Sequence, residues 1–240
     1  MNILSIGNSF SKDASRYLSQ IARANGDKIN SANLFISGCS LRRHYANMFT
    51  EEKAYGLQYN GQLTGFTVTL KEALFNREWD IVTLQQVSCE AINYETFQPY
   101  LNELIKYVKV ACPKAKIYFH QTWAYEEGSS KLINELGYSS YTQMLDDIKN
   151  ASKKVLDETG VDGIIPSGEL FDELLKSGIE KVHRDTFHAS LGIGRYALAL
   201  LWYKYFTGND INDNSFNDFD EEVTDNEIAT AKKCVNKLLN

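Results

Sequence analysis

Proline is scarce in this chain, with 3 among 240 residues, and cysteine and histidine number only 4 each. With so few prolines and 15 scattered glycines there is no Pro/Gly-rich linker. No internal repeat or low-complexity stretch breaks the sequence either, so a single domain spanning 1–240 is expected. Cys39, Cys89, Cys112 and Cys234 are far apart and form no CxxC pair, which removes the usual zinc and thiol-redox motifs. A chain of this length buries a core without staples, so free thiols are expected. No segment approaches the ~18 continuous apolar residues of a membrane span. The N-terminus lacks a basic stretch ahead of its first apolar run and does not read as a signal peptide, so the expected location is cytoplasmic, with no membrane partner. Basic clusters are missing as well. Arg42-Arg43 is the only adjacent basic pair in the first half and the formal net charge is -6, which argues against a nucleic-acid partner. The stretch 210–227 is acidic and reads as a solvated surface.

What the chain does have is alternation. Residues 2–6 (NILSI), 31–36 (SANLFI), 80–86 (DIVTLQQ), 115–123 (AKIYFHQTW) and 161–166 (VDGIIP) read as five buried strands. Between them, apolar residues recur at helical spacing: Ala14, Tyr17, Leu18 and Ile21; Leu101, Leu104, Ile105 and Val108; Tyr141, Met144, Leu145, Ile148 and Val155. Ser140 with Gln143 has the spacing of a capping box for the third of these. Leu191, Tyr196, Leu198, Leu201 and Trp202 mark an apolar helix, and residues 226–239 a last amphipathic one. Strands alternating with helices imply a parallel sheet covered on both faces, an α/β three-layer sandwich with five parallel strands. Residues 40–79 fit no period and are expected to form short helices and a flap.

In an open parallel sheet, ligands bind outside the carboxyl ends of the strands. The first such end reads Gly7-Asn8-Ser9, the second Ser37-Gly38, the third Gln85-Gln86 with Ser88, and the fourth His120-Gln121 with Trp123. A serine hydroxyl becomes a nucleophile only when a base takes its proton. Ser11, nearer the helical run, is expected to cap the helix that begins near Lys12, which leaves Ser9 free on the turn. Asp185 and His188, three apart in "HRDTFHAS", have the spacing of a base and the carboxylate that orients it; His183 competes for that role less well. Acyl transfer also needs donors for a developing oxyanion. The N–H groups of Ser9 and Gly38 and a side-chain amide are the candidates, with Gln86 favoured over Gln85.

These residues together resemble the SGNH (GDSL-like) hydrolases: a Gly-x-Ser block near the N-terminus, a glycine after the second strand, and Asp-x-x-His near the C-terminus. The blocks "IGNSFS", "LQQVS", "HQTWAY" and "HRDTFHAS" are most similar to the bacterial branch known as DUF4886. The resemblance implies a flavodoxin-like three-layer fold and ester hydrolysis through an acyl-enzyme without a cofactor. It implies Ser9 as nucleophile, His188 as base, Asp185 as its orienter, and Ser9 and Gly38 as oxyanion donors. The family's usual Gly-x-Asn-Asp block after the third strand is absent, and "LQQVS" stands in its place. Tyr45, Tyr55, Tyr59, Trp123 and Tyr125, with Gln85, His120 and Gln121, are expected to line the rim. Aromatic faces with amides suit a sugar, so a carbohydrate ester with a short acyl group is the expected substrate. A thioesterase or lysophospholipase with the same triad, a non-catalytic carbohydrate-binding protein, and a metal hydrolase using His120, His183, His188 and Asp185 are the alternatives.

Overall fold

The computed structural model describes residues 1–239. Strands β1 (Asn2–Gly7), β2 (Asn30–Phe35), β3 (Tyr55–Tyr59), β4 (Gln62–Val68), β5 (Ile81–Leu84), β6 (Lys116–His120) and β7 (Gly163–Ile165) form one sheet in the order β4-β3-β2-β1-β5-β6-β7. The five strands β2-β1-β5-β6-β7 are mutually parallel. Counted along the chain they run 2-1-3-4-5, the flavodoxin-like order.

The sheet is larger than the five strands expected. β3 and β4 are an antiparallel hairpin added beside β2, within the stretch expected to be a flap. Its turn is Asn60-Gly61, both at positive φ (49° and 79°), the conformation that a two-residue hairpin turn requires. β4 is mostly exposed and lacks the alternation of a half-buried strand, which is why its period does not show.

Period-2 alternation in β1 sends Ile3 to one face of the sheet and Leu4 and Ile6 to the other. On the Ile3 face lie α1 (Ser9–Ala14), α2 (Leu18–Ala24), α7 (Ser167–Lys176), α8 (Ile193–Thr207) and α9 (Asp225–Leu239). The Leu4 face is covered by α3 (Leu41–Ala46), α4 (Leu70–Phe75) and α5 (Tyr100–Ala111), while α6 (Tyr141–Glu158) feeds both clusters. α8 is buried around almost its whole circumference, and its one buried charge, Arg195, is paired.

Local details depart from expectation. The first helical run is two helices, because the chain turns at residues 15–17. Its cap is Asn8, whose Oδ1 accepts from Phe10 N (3.0 Å), and not Ser11. Ser11 is buried and donates to Asn8 O and Asn33 Oδ1. Ser140 does accept from Gln143 N, but Gln143 Oε1 returns to Ser139. The four cysteines are free, with Cys89 alone exposed. No helix among the described residues is long and apolar enough to cross a membrane.

Candidate active site

β1 leaves the sheet through Gly7 because nothing larger fits. A Cβ there would stand 2.5 Å from Ser11 Oγ and 2.6 Å from Gln85 Oε1. Asn8 then caps α1, which makes Ser9 its first helical residue, where a backbone N–H has no intrahelical acceptor. The Asn8 side chain does a second job: its Nδ2 donates to Cys39 O (3.1 Å) and ties the loop after β2 to the turn that presents Ser9. Gly38, in that loop, has φ +59°, which favours glycine.

Asp185 and His188 lie on a tight loop closed by the His183–Ala189 bridge and by Arg184 N donating to His188 O (3.0 Å). At its tip Thr186 holds φ +78°, unfavourable for a β-branched residue, and Thr186 O accepts from Glu126 N (2.7 Å). The loop folds back so that His188 Nδ1 lies 2.8 Å from Asp185 Oδ2, and His188 N donates to Asp185 Oδ1 (3.0 Å). His188 Nε2 is 2.8 Å from Ser9 Oγ. Burial raises the Asp185 pKa, but the hydrogen bonds from His188 and the Arg184 charge outweigh it and hold the carboxyl below its ordinary 3.8. An ionised carboxylate can only accept, so Nδ1 carries the imidazole proton and Nε2 is left to accept from the Ser9 hydroxyl.

The loop is docked on α1 by polar contacts at two points, beside the packing of Phe10 on Phe187 and His188. Ser9 and Asp13 are four residues apart, on one face of the helix. Ser9 meets His188, while Asp13, fully buried, accepts from Arg184 Nη1 (2.8 Å). Arg184 also donates to Ala189 O at the loop's far end. Asp13 further accepts from Arg195 Nε (2.9 Å), and Arg195 reaches Asp220, which also holds Arg16.

Ser9 and His188 open onto a cavity of about 270 Å³. It lies outside the carboxyl ends of β1 and β5, where the parallel strand order reverses. Gly38, Ser88, Tyr125, Lys131, Glu135 and Phe187 are among the residues that line it. The Phe187 ring is 4.0 Å from that of His188.

Several expected site residues are elsewhere. Gln86 is fully buried, with Oε1 accepting from Leu41 N (2.8 Å) and Val87 N (2.9 Å) and Nε2 donating to Thr96 O (3.2 Å). Both ends of the amide are used in joining the loop after β5 to α3, so it does not face the cavity. Gln86→Ala is therefore expected to lower stability by about 1–3 kcal/mol through two unpaired N–H groups, read as a lower melting temperature. Its effect on kcat should fall far short of the ~100–1000-fold loss that follows removal of an oxyanion donor. Gln85 is buried beneath the Gly7 turn and does not line the cavity.

His120 and Gln121 serve the start of α7: His120 Nε2 is 3.1 Å from Ser167 Oγ, and Gln121 Oε1 accepts from Gly168 N (2.9 Å). Trp123 is buried below the site, stacked 4.2 Å from Phe10, and its Nε1 donates to Phe187 O (2.8 Å). It supports the loop and does not line this cavity. Tyr45 packs on Phe49 and Tyr100, Tyr55 is buried against His44, and Tyr59 lies under Arg77; of the five rim aromatics only Tyr125 lines the cavity. His183 hydrogen-bonds Ala124 O (3.0 Å), and burial pushes its pKa down to about 4, so it is neutral and turned away. No three His, Cys, Asp or Glu side chains converge to hold a metal ion among the described residues.

The spacing arguments missed Asn8, Asp13, Phe187, Lys131 and Glu135. Phe187 was signalled only by its place beside His188. The bond of Asn8 to Cys39, the pairing of Asp13 with Arg184 and Arg195, and the return of Lys131 and Glu135 to Phe187 carry no local signal, because these partners are distant in sequence.

A family model described as "Domain of unknown function (DUF4886)" matches residues 2–237. A DUF4886 family protein from Bacteroides uniformis has a solved structure that superposes with a TM-score of 0.93 at 30% identity, covering 100% of this chain and 94% of that one. A protein from Slackia heliotrinireducens, proposed to be an SGNH hydrolase, gives a TM-score of 0.62 at 22% identity, covering 86% of this chain and 98% of that one. A variant of an acetyl-xylooligosaccharide esterase from Geobacillus Stearmophilus gives 0.52 at 15% identity, covering 90% and 94%. No curated protein matches the sequence.

Proposed function

Because this chain belongs to the DUF4886 family and has the fold of the SGNH and GDSL-like hydrolases, we propose that it is a serine ester hydrolase removing short acyl groups, acetyl above all, from a carbohydrate. The observation that carries this reading is the unbroken chain from Ser9 Oγ through His188 to Asp185, with both links at 2.8 Å. Ser9 Oγ attacks the ester carbonyl as His188 Nε2 takes its proton. The N–H groups of Ser9 and Gly38 are the donors for the oxyanion. As the alkoxy C–O bond breaks, His188 returns the proton to the leaving oxygen. Water then adds to the acyl-enzyme with His188 again as base, releasing the carboxylic acid and regenerating Ser9.

The short acyl group is supported by the cavity. At about 270 Å³, shared between the acyl group and the alcohol, with Ser37, Ser88 and a charged pair beside Phe10, Val87 and Phe187 in its wall, it suits a small acyl group. The carbohydrate reading draws support from the fold neighbour described as an acetyl-xylooligosaccharide esterase. The test is a chain-length profile. Turnover of p-nitrophenyl acetate is expected to exceed that of p-nitrophenyl octanoate by at least tenfold in kcat/KM, because the longer chain must be fitted against the wall beside Ser9 while methylenes left in water gain none of the ~0.8 kcal/mol each that burial would give. Preference for octanoate would replace this reading with the thioesterase or lysophospholipase one. Absence of any turnover, with no labelling of Ser9 by a fluorophosphonate, would overturn the hydrolase reading.

A further inference from the structure

We infer that Lys131, Glu135 and Phe187 form the subsite for the departing alcohol, and that this subsite is built for an uncharged sugar; the inference rests on the ester hydrolase reading above. The direction of the chemistry places it. The carbonyl oxygen must face the Ser9 and Gly38 N–H groups, whereas the leaving oxygen must face His188 Nε2, which protonates it. Whatever stands beside the imidazole, on the cavity side, therefore meets the alcohol.

Phe187 stands there, its ring 4.0 Å from that of His188 and 5.5 Å from that of Tyr125. Lys131 Nζ lies 4.9 Å over the Phe187 ring, and Glu135 Oε2 is 3.5 Å from that ammonium. All five line the same cavity as Ser9.

The support is built into the fold. Lys131–Glu135 is a single π-helical turn, with Leu136 N donating to Lys131 O (3.2 Å), a geometry that recurs at functional sites. Leu132, fully buried, anchors it in the core. Tyr138 OH donates to Asp147 (2.6 Å) just beyond it, and Glu126 N just before it hooks onto Thr186 O in the catalytic loop. The turn therefore holds its place relative to His188.

Its chemistry selects the ligand. An aromatic wall takes the C–H face of a sugar ring. The ammonium donates to hydroxyl and ring oxygens, and the carboxylate accepts from hydroxyls. Lys131 and Glu135 are the two formally charged side chains of the cavity wall, and they cancel. An anionic sugar would gain from Lys131 only what it loses to Glu135, and an alkyl alcohol would make no use of either hydrogen-bonding group.

The experiment compares O-acetylated methyl glucoside, O-acetylated methyl glucuronide and p-nitrophenyl acetate, with fluorophosphonate labelling used to count assembled sites. Lys131→Met is expected to lower the ratio of kcat/KM for the acetyl glucoside to that for p-nitrophenyl acetate by ~10-fold or more, mostly through KM, as loss of charge-assisted hydrogen bonds requires. Glu135→Gln is expected to raise the glucuronide-to-glucoside ratio about fivefold or more, since it leaves Lys131 uncompensated. A gain of this kind cannot arise from misfolding. Ratios unchanged within about twofold in both variants would overturn the subsite. So would a native enzyme that cleaves p-nitrophenyl acetate through Ser9 but neither glycoside, and in that case the esterase reading survives. Failure of all three substrates and of labelling removes the esterase reading and the subsite with it.

Discussion

Replacing Ser9 with alanine is expected to lower turnover of p-nitrophenyl acetate by about 10⁴-fold or more, with the melting temperature nearly unchanged. The size follows from the geometry. Ser9 Oγ is the one atom in the cavity held against an imidazole that is itself oriented by an ionised carboxylate. Without that oxygen the acyl-enzyme route is lost, and what remains is binding and the oxyanion donors acting on water. The small effect on stability follows because Ser9 is not the cap of α1. Asn8 makes the capping bond, and Ser9 Oγ reaches only His188 on the partly exposed 183–189 loop. A drop of tenfold or less in kcat would mean that another group attacks the ester. The exposed Cys89 thiol, in the wall of the same cavity, is the obvious rival.

The second large effect is expected far from any substrate. Asp13→Asn removes the buried negative charge shared by Arg184 and Arg195 and is expected to destabilise the protein by about 3–5 kcal/mol, as breaking a buried pair does. In a chain of this size that lowers the melting temperature by roughly 10 °C. The same change weakens the hold of the 183–189 loop on α1, since His188–Ser9 and Arg184–Asp13 are its two polar attachments to that helix, beside the ring contacts of Phe10 with Phe187 and His188. A displacement of 1 Å costs about 100-fold in such reactions, so kcat in the folded fraction is expected to fall 10- to 100-fold, with KM little changed. Melting curves and steady-state kinetics below the transition separate the two effects. A double-mutant cycle with Arg184→Gln locates the cause: the pair should cost clearly less than the sum of the single changes. A lower melting temperature with normal kcat would mean that the network holds the fold but does not position the loop.

What the sequence revealed depended on how local the signal was. Asp185 and His188 were legible because their partnership is closed within three residues, and Ser9 because a serine stands unused between a strand and a helix. The parallel strands were legible from continuous apolar runs, and their ends marked the edge of the sheet where Ser9 and His188 meet. Position at that edge, however, does not say where a side chain points. Gln85 and Gln86 follow the same strand, yet Gln86 turns toward α3 and Gln85 lies under Gly7. His120 and Gln121 end β6 and serve the start of α7.

The β3–β4 hairpin carried a strong cue in Asn60-Gly61, but the exposure of both faces of β4 hid its period. Asn8 illustrates a different limit. Its capping role is local, whereas its bond to Cys39 O spans 31 residues and joins two strand ends that only the fold brings together. Lys131 and Glu135 were invisible for the same reason, since nothing in the stretch between β6 and α6 announces that it returns to His188.

The most direct test of the whole account is to find where the acyl group goes. The protein is mixed with p-nitrophenyl acetate, quenched in acid within the first turnover, digested, and its peptides are mapped by mass spectrometry. Acetyl on Ser9 in the native protein, and on no residue of the cavity in Ser9→Ala, is the result this account requires. Acetyl on Cys89, or steady turnover with Ser9 never modified, would contradict it.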